Sequence, residues 1–374
     1  MSLSFSSARS RFFLRGRQVA ICLAVCAGVF GCRENQSGFK LFRSDKTAES
    51  NTATDPALFT SSKQLMGTVF SVTISGIKGE KLEPVINSIY LEIDRLEKLV
   101  SDRIEQSEIS RINASAGTNP VKISDDTLAV LRSGLEVSRW SEGAFDLSWA
   151  ALRGLFSFDP ESPRLPNLNQ IKNRLPLIDY RDIIIDEAAQ TAMLRRKGMR
   201  LGVGAIGKGY ALDRASAILS RAGIDNFMLF AGGQVQVKGR RGKRLWRVGI
   251  RHPRRNDYFG VLKLPAGAVS TSGDYEHSFF KHGRRWHHIL DPKTGLPVEH
   301  TVSVTVVSPK GVYADALSTA IFALGPERAF ELLSSAPGNP EIIILDKDLK
   351  VFQSAGLAKI FTLETALVGG RLPL

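Results

Sequence analysis

Residues 201–213 read Leu-Gly-Val-Gly-Ala-Ile-Gly-Lys-Gly-Tyr-Ala-Leu-Asp, and this stretch decides between two fold classes. It contains Gly202-x-Gly204-x-x-Gly207, the glycine pattern of dinucleotide-binding parallel sheets. Such a fold needs a strand buried on both faces directly ahead of the glycines. Here residues 194–200 read Leu-Arg-Arg-Lys-Gly-Met-Arg, which is too charged for such a strand. The pattern therefore disfavours a doubly wound fold and the nicotinamide-dependent oxidoreductases built on it.

Hydrophobic periodicity elsewhere predicts helices early and late in the chain, with strands concentrated between them. The predicted helices cover residues 85–100, 125–135, 208–222 and 314–324, and the predicted strands cover residues 68–74, 227–231, 246–250, 260–264 and 301–308. Residues 182–185 and 191–194 are predicted to pair as a hairpin, and the Pro- and Asn-rich residues 159–176 to form a loop. This order favours an α+β fold, a single large domain with mostly antiparallel sheets and flanking helices.

The N-terminal segment has the composition of an export signal. Residues 1–31 carry four arginines, no acidic residue and an apolar run of about a dozen residues, too short to span a bilayer comfortably. The run ends in Val29-Phe30-Gly31-Cys32, which resembles a bacterial lipobox and predicts lipidation of Cys32. Cys26 offers a weaker competing site, and an ordinary cleaved signal or an uncleaved anchor would also export the domain.

A polar segment follows the predicted lipidation site. Residues 32–58 are rich in Ser, Thr, Asn and charge, without apolar periodicity, and predict a flexible tether with a reach of about 30 Å. Residues 59–374 then form the predicted globular domain. The chain is expected to be exported and lipid-anchored to a bacterial membrane, facing the periplasm or the cell exterior.

The charge and the cysteine content exclude several kinds of site and partner. All three cysteines lie in the leader, so the exported domain has no disulfide, no cysteine nucleophile and no cysteine-bound zinc. Loss of the four leader arginines lowers the formal charge from +13 to +9, which still suits an anionic ligand or an anionic membrane surface. Without Lys/Arg tracts interleaved with aromatic residues, nucleic acid is not an expected partner.

The glycines of residues 202–209 can still contribute to phosphate binding in a fold that is not the dinucleotide-binding one. They allow a backbone to approach a phosphate closely, and Lys208 adds positive charge at a predicted helix N-terminus. The alternative is a tight corner between loop and helix with a solvated lysine.

The second chemical motif is Trp286-His287-His288-Ile289-Leu290-Asp291-Pro292-Lys293-Thr294-Gly295. Histidine titrates near neutrality, and this adjacent pair belongs to only six histidines in the chain. The motif therefore indicates acid–base chemistry. The alternative is a strand end at which His288 hydrogen-bonds a turn built on Asp291-Pro292.

A third motif, residues 314–319, places Asp315 and Thr319 four residues apart on one helical face. Oxygen ligands without sulfur or imidazole suit Mg²⁺. The alternative is an aspartate that caps a helix or interacts with its dipole. The small-residue turns at residues 143–146 and 231–234 are two further places where backbone could meet a ligand.

In their order along residues 60–335, these motifs resemble the ApbE family, the FAD:protein FMN transferases. The matching segments are Met66-Gly67-Thr68, residues 107–113, Gly143-Ala144-Phe145-Asp146, residues 206–213, Ala231-Gly232-Gly233, residues 271–275, residues 288–295 and residues 314–319. The resemblance implies a Mg²⁺-dependent enzyme that cleaves FAD, transfers FMN to a Ser or Thr hydroxyl of an exported redox protein and releases AMP.

Site residues follow from the same resemblance, position by position. It implies that His288 is the catalytic base and that FAD is contacted by Met66, Ala144, Phe145, Asp146, Lys208 and Leu290. It assigns Mg²⁺ to the main-chain oxygen of Ala205 with Asp315, Thr319 and Ser318. Three positions depart from the family pattern: Arg103 replaces a tyrosine beside the flavin, Gly202 replaces an aspartate that contacts FAD, and Ser318 replaces a second metal-binding aspartate. Arg103 and Gly202 are still predicted to lie in the FAD site.

The departures leave alternatives to flavin transfer. FAD pyrophosphate hydrolysis would use the same site with water as the acceptor. A lipid-anchored flavin-binding protein without catalysis is a second alternative, against which the retention of His288, Asp315 and Thr319 argues.

Overall fold

The computed structural model describes residues 56–364, which all belong to one compact unit. The predicted signal peptide, the predicted lipidation site Cys32 and nearly all of the predicted tether lie outside the described residues. Within residues 56–364, no helix combines the length and the apolar character needed to cross a bilayer.

Helices and strands alternate irregularly along the chain. The helices are α1 (Glu83–Val100), α2 (Glu108–Ala114), α3 (Asp125–Trp140), α4 (Leu168–Arg174), α5 (Gly207–Arg221), α6 (Gly311–Leu324) and α7 (Pro326–Leu332). The strands are β1 (Leu58–Leu65), β2 (Thr68–Ser75), β3 (Val121–Lys122), β4 (Ile183–Asp186), β5 (Thr191–Leu194), β6 (Phe227–Ala231), β7 (Gln234–Lys238), β8 (Arg240–Arg241), β9 (Arg244–Arg251), β10 (Tyr258–Leu264), β11 (Ala266–Gly273), β12 (Ser278–Lys281), β13 (Arg284–His287), β14 (Thr301–Ser308), β15 (Glu341–Asp346), β16 (Val351–Gln353) and β17 (Phe361–Leu363).

One large sheet organises the domain. Its eight strands run in the order β1-β2-β6-β7-β11-β14-β15-β16, and every neighbouring pair is antiparallel. The predicted α+β fold with mostly antiparallel sheets is therefore confirmed.

Both faces of this sheet are covered. On one face β14 contributes Val304 and Val306 to a core shared with α3 and α6. On the other face Val307 packs with Trp246 and Phe259 of the smaller sheet β17-β10-β9-β8. All eight residues of β14 are buried as a result, which explains its continuous apolar and β-branched sequence.

The glycine stretch lies outside any parallel sheet. The strand before it, β5, belongs to the antiparallel three-stranded sheet β3-β5-β4, and residues 195–206 form no strand. The rejection of the dinucleotide-binding fold is thus confirmed.

Most predicted elements are confirmed, including the 183–194 hairpin, the α3 cap at Ser124 and the strand at Thr301–Ser308. The loop predicted at residues 159–176 was wrong in part, because α4 occupies Leu168–Arg174. Asn167 and Gln170 form a reciprocal capping box there, which stabilises a helix of only seven residues. Helix α6 also begins at Gly311 rather than at Ala314.

Candidate active site

The first part of the site is the crossing of helices α5 and α6 near their N-termini. A Cβ atom added at Gly209 would collide with the carbonyl oxygen of Gly311, and one added at Gly311 would collide with that of Gly209. Glycine at both positions therefore lets the two helices approach each other backbone to backbone.

The two helices cap each other through aspartates. Asp315 of α6 accepts a hydrogen bond from the Gly209 amide of α5 at 3.0 Å. In return, Asp213 of α5 accepts from the amides of Gly311 and Val312 at the start of α6, at 2.7 and 2.9 Å. Each carboxylate thereby satisfies amides that a helix N-terminus leaves unpaired. Desolvation by burial raises the pKa of Asp213.

This exchange of caps leaves oxygen atoms that could hold a cation. In a regular turn the Gly209 amide would bond the carbonyl of Ala205, but it donates to Asp315 instead. The Ala205 carbonyl is thus left for another partner beside the buried carboxylate of Asp315, which is 4% exposed. Thr319 lies one helical turn after Asp315, and the three oxygen donors fit a hard divalent cation.

The cation site would contain a single carboxylate. Residues 56–364 hold no group of three or more His, Cys, Asp or Glu side chains placed to bind a metal. Mg²⁺ is often held by one or two carboxylates together with the phosphates of a substrate. The residues present therefore fit Mg²⁺ bound with a pyrophosphate better than a metal held by protein alone.

A cluster of hydroxyl groups supports this part of α6. Ser318 donates to the carbonyl of Asp315 at 2.8 Å, and its Oγ lies 2.8 Å from that of Ser272 and 3.3 Å from that of Ser270 on β11. Ser272 Oγ is also 3.5 Å from Thr319 Oγ1. Ser318 is 1% exposed and its hydroxyl already has these partners, so its role as a metal ligand stays a prediction.

The two adjacent histidines have opposite environments. His287 is buried, with Nε2 2.8 Å from the carbonyl of Val298 and Nδ1 accepting from the amide of Ile289. A carbonyl can only accept, so Nε2 carries the hydrogen and the ring is neutral. His287 is therefore a structural residue, and burial lowers its pKa.

His288 instead lies exposed to solvent. Its Nδ1 is 3.2 Å from the carbonyl oxygen of Glu276, and its ring meets that of His277 edge-on at 5.2 Å. Because Nδ1 must donate to that carbonyl, the lone pair of the neutral ring is on Nε2. The alternative in which His288 serves the Asp291-Pro292 turn is not supported, because its hydrogen bond goes to Glu276.

Electrostatics favour the neutral form of His288. Desolvation of the ring, followed by the neighbouring His277 and His287 and by Lys208, lowers the pKa of this imidazole. Since the ring is exposed, water solvates the imidazolium and weakens the first of these effects. A pKa below its usual value leaves the imidazole neutral at neutral pH and therefore able to accept a proton.

Asp291 forms its own turn. Its Oδ1 accepts from the amide of Lys293 at 2.9 Å, and its carbonyl accepts from the amide of Gly295 at 2.7 Å. This turn faces the predicted ligand-binding turn at residues 143–146 across a cleft of about 530 Å³, lined by Gly143, Asp146, Tyr180, Pro292 and Lys293 among others. The fold thus brings two of the sequence motifs together, although none of His288, Lys208 and Asp315 lines that cleft.

The predicted FAD contacts at residues 144–146 are buried. Asp146 accepts hydrogen bonds from the amide and hydroxyl of Ser148 and from the amide of Tyr180, at 2.7, 2.6 and 2.8 Å. Desolvation by burial raises the pKa of Asp146. The carboxylate clearly fixes local structure, and its contact with FAD stays a prediction.

Met66 occupies a two-residue turn between β1 and β2. Met66 and Gly67 have φ of 52° and 68°, which is the left-handed conformation of a tight hairpin turn. A methionine rarely adopts it, and here its amide donates to Glu97 Oε2 at 2.7 Å. The side chain packs between the two main apolar clusters. The turn beside it, Gly232-Gly233, contacts Thr68.

Two positions that depart from the family pattern have distinct surroundings. Arg103 is exposed, on a loop tied to the domain by an Asp102–Arg153 ion pair. Gly202 is buried, with its amide bonded to the carbonyl of Leu147 and its carbonyl to Trp149 Nε1. An added Cβ there would lie 2.9 Å from Ala150 Cβ and 3.0 Å from Trp149 Nε1. Gly202 therefore has a packing role, and its contact with FAD stays a prediction.

Lys208 is the second residue of α5, and its Nζ donates to the carbonyl of Gly204 at 2.8 Å. Leu290 pairs with Pro297 next to the Asp291 turn. The contacts of both residues with FAD stay predictions.

Comparison with known proteins settles the family. Residues 66–344 match the model of the ApbE family. The chain belongs to the ApbE family. A FAD:protein FMN transferase of Treponema pallidum (strain Nichols) is 31% identical over 316 residues, covering 78% of this chain and 86% of that protein. A FAD:protein FMN transferase of Escherichia coli (strain K12) is 29% identical over 276 residues, covering 72% and 79%.

Solved structures of ApbE proteins agree with this assignment. The ApbE protein from Thermotoga maritima superposes with a TM-score of 0.73 at 29% identity, covering 80% of this chain and 98% of that chain. The flavin transferase ApbE from Vibrio cholerae gives a TM-score of 0.72 at 25% identity, covering 82% and 99%.

Within this ApbE domain, sequence reasoning missed three supporting groups: the cap residue Asp213, the hydroxyl of Ser272 and the carbonyl of Glu276. The first two lie inside motifs that resemble the family, so the sequence marked these segments but did not indicate the roles of the two side chains. The carbonyl of Glu276 carries no side-chain signal and becomes visible only in three dimensions.

Proposed function

We propose that this protein transfers FMN from FAD to a Ser or Thr hydroxyl of an exported acceptor protein, in a Mg²⁺-dependent reaction that releases AMP. The relatives named FAD:protein FMN transferase support the reaction class. The observation that carries the proposal is the exposed His288, whose free Nε2 lies in the part of the fold that also holds Lys208.

The chemistry is a phosphoryl transfer to a hydroxyl. His288 Nε2 accepts the hydroxyl proton as the acceptor oxygen bonds to the phosphorus on the FMN side of the pyrophosphate. The bond from that phosphorus to the bridging oxygen breaks, and AMP leaves with the bridging oxygen. The hydrogen bond from Nδ1 to Glu276 holds the ring in the tautomer that this step requires.

Ala205, Asp315 and Thr319 would hold Mg²⁺, with Ser318 as a further candidate. When bound, the cation would neutralise charge developing on the pyrophosphate. Lys208 adds a positive charge at the N-terminus of α5, where the positive end of the helix dipole also favours phosphate. Met66, Ala144, Phe145, Asp146 and Leu290 are the proposed contacts for the remainder of FAD.

Hydrolysis of FAD is the closest competing activity. Water in place of the acceptor hydroxyl would give FMN and AMP by the same attack on phosphorus. The solvent exposure of His288 makes this competition physically accessible in the absence of an acceptor.

The deciding experiment is incubation of the full chain with FAD, Mg²⁺ and a candidate acceptor protein, followed by mass spectrometry of the acceptor. We expect one FMN phosphoryl group to be added for each AMP released. Free FMN and AMP with an unmodified acceptor would establish hydrolysis instead. FAD that remains intact with every acceptor, while binding tightly, would support the non-catalytic alternative.

We further propose that the protein is exported and anchored through a lipid on Cys32. The basic leader, the short apolar run and the lipobox-like residues 29–32 support this location. Labelling of growing cells with a fatty-acid analogue, compared between the natural chain and Cys32→Ser, should show label only in the former. Equal labelling would reject Cys32 as the anchor.

A further inference from the structure

The proposed base His288 has a second neighbour besides the carbonyl of Glu276. The rings of His277 and His288 meet edge to face, with centroids 5.2 Å apart and planes at 87°, an arrangement that aromatic rings favour. One hydrogen bond, from Nδ1 to Glu276, leaves a ring free to rotate about the axis of that bond. Contact with a second ring restricts this rotation.

The position of His277 is set by an unusual backbone conformation. His277 lies directly before β12 and His288 directly after β13, at the end of the hairpin where Ser278 pairs with His287. His277 has a φ of 38°, in the left-handed region that residues with a side chain rarely adopt. Such a conformation persists where surrounding contacts hold it, and it is frequent at functional sites.

Ion pairs hold the segment that carries His277. Asp274, which is 7% exposed, accepts two hydrogen bonds from the guanidinium of Arg254, both of 2.6 Å. The side chain of Glu276 pairs with Arg251 at 3.3 Å. The carbonyl of Glu276 and the ring of His277 are thus presented to the proposed base from an anchored segment. Because His277 itself is exposed, its ring adds little to the packing of the core.

Charge gives His277 a second effect on His288. Desolvation is the largest cause of the lowered pKa of His288, and three titratable groups add to it: His277, His287 and Lys208. They lie beside β12, on β13 and on α5, and the hydrogen bond to Glu276 opposes them. A positive charge on His277 disfavours the imidazolium form of His288, so removal of that charge should be visible in the titration of His288.

We propose that His277 is a positioning residue for His288, whose ring it restrains while it leaves Nε2 open to the acceptor hydroxyl. This inference rests on the proposed transfer reaction, in which His288 accepts the proton of that hydroxyl. His277 lies outside the segments that resemble the family, so the sequence gives no indication of this role.

The first test separates the ring from the backbone. Asparagine tolerates the left-handed conformation, so His277→Asn removes the ring and retains the local fold. With the full chain, FAD, Mg²⁺ and acceptor at about pH 8, where imidazole is neutral, kcat should fall about tenfold with an unchanged KM for the acceptor. His277→Phe keeps a ring edge and should restore most of kcat. A phenylalanine variant as slow as the asparagine variant would overturn the proposal.

The same hairpin offers a matched control. His282 is an exposed histidine with a φ of 52° in the turn between β12 and β13, and His282→Asn should keep the parent rate. In the His288→Asn background, His277→Asn should cause no further loss, because a positioning residue acts through the base. A further tenfold loss in that background would show that His277 acts independently of His288 and would overturn the proposal.

A second measurement needs neither FAD nor an acceptor, so its failure is distinguishable from a failure of the transfer reaction. Histidine-ring NMR of the full chain can follow the titration of His288, whose signal is identified by its absence from the His288→Asn variant. Both His277→Asn and His277→Phe should move this titration to higher pH, because each removes a repelling charge. An unchanged titration in both variants would show that the two rings do not meet in solution and would overturn the proposal.

Discussion

The crossing of α5 and α6 and the segment around His288 differ in how tightly the protein holds their side chains. At the crossing, Gly209, Gly311, Asp213 and Asp315 are locked by backbone contact and mutual capping before any ligand arrives. His288 has a single hydrogen bond to the protein and an exposed ring. The groups proposed to hold a cation are thus preorganised by packing, whereas the proposed base retains the freedom to meet a large incoming substrate.

The largest effect is expected from the less constrained region. His288→Asn should lower the transfer rate by about 10²- to 10⁴-fold with little change in FAD affinity, because it removes a base and no predicted binding contact. Single-turnover rates and FAD titrations would measure the two effects separately.

The neighbouring histidine provides the matched control. His287→Asn should lower thermal stability, because it disturbs a buried hydrogen bond to Val298, while the folded protein keeps most of its transfer activity. If both variants lost activity equally without loss of FAD binding, the distinction between base and structural histidine would fail.

At the helix crossing, Asp315→Ala and Asp315→Asn should both reduce transfer by the order of 10²-fold, since both remove a charged metal ligand. Only alanine leaves the Gly209 amide without its acceptor, so it should also cost about 1–3 kcal/mol of stability. Thermal melting and rates across a range of Mg²⁺ concentrations would show this. Normal turnover of the Asn variant at saturating Mg²⁺ would place the cation elsewhere.

A smaller effect is expected at Asp213, which positions α6 without touching substrate. Its carboxylate accepts three hydrogen bonds, from Gly311, Val312 and Gln236, and Asp213→Asn cannot accept all of them equally well. We expect about a tenfold rise in the Mg²⁺ concentration at half-maximal rate, typical of groups that orient ligands, with a nearly unchanged maximal rate. A loss of maximal rate without that rise would indicate a direct role.

The smallest effect concerns pH. The pKa of His288 is lowered from its ordinary value of 6.5, and a base acts only when deprotonated. The transfer rate should therefore be nearly constant from about pH 7 upward and should fall only when the pH drops through the lowered pKa. An inflection above pH 7, absent from the His288→Asn variant, would contradict the lowered pKa while leaving the base assigned.

Helices and strands with a local sequence pattern could be predicted from the sequence. Features that depend on residues far away in the chain could not. Strand Thr301–Ser308 follows from its apolar run, and α3 from its Ser124 cap. The start of α6 was misplaced because its cap is Asp213, 98 residues earlier in the chain. The roles of Ser270 and Ser272 escaped notice for the same reason, since Ser318 lies on a different element.

Within the site, spacing alone indicated Asp315 and Thr319 but could not separate a metal ligand from a helix cap. The structure shows that Asp315 does cap a helix, although the helix is α5 rather than its own. The adjacent histidines were equally indistinguishable in sequence. Their burial and hydrogen-bond partners identify His287 as a structural residue and leave His288 as the proposed base.

The packing at Gly202 restricts how this protein can change during evolution. The family pattern predicts an aspartate at this position, yet here Trp149 and Ala150 occupy the space that its first side-chain carbon would need. An aspartate at position 202 would therefore be tolerated only if both Trp149 and Ala150 moved or were replaced by smaller residues. The packing around this glycine thus links the residues allowed at three separate positions.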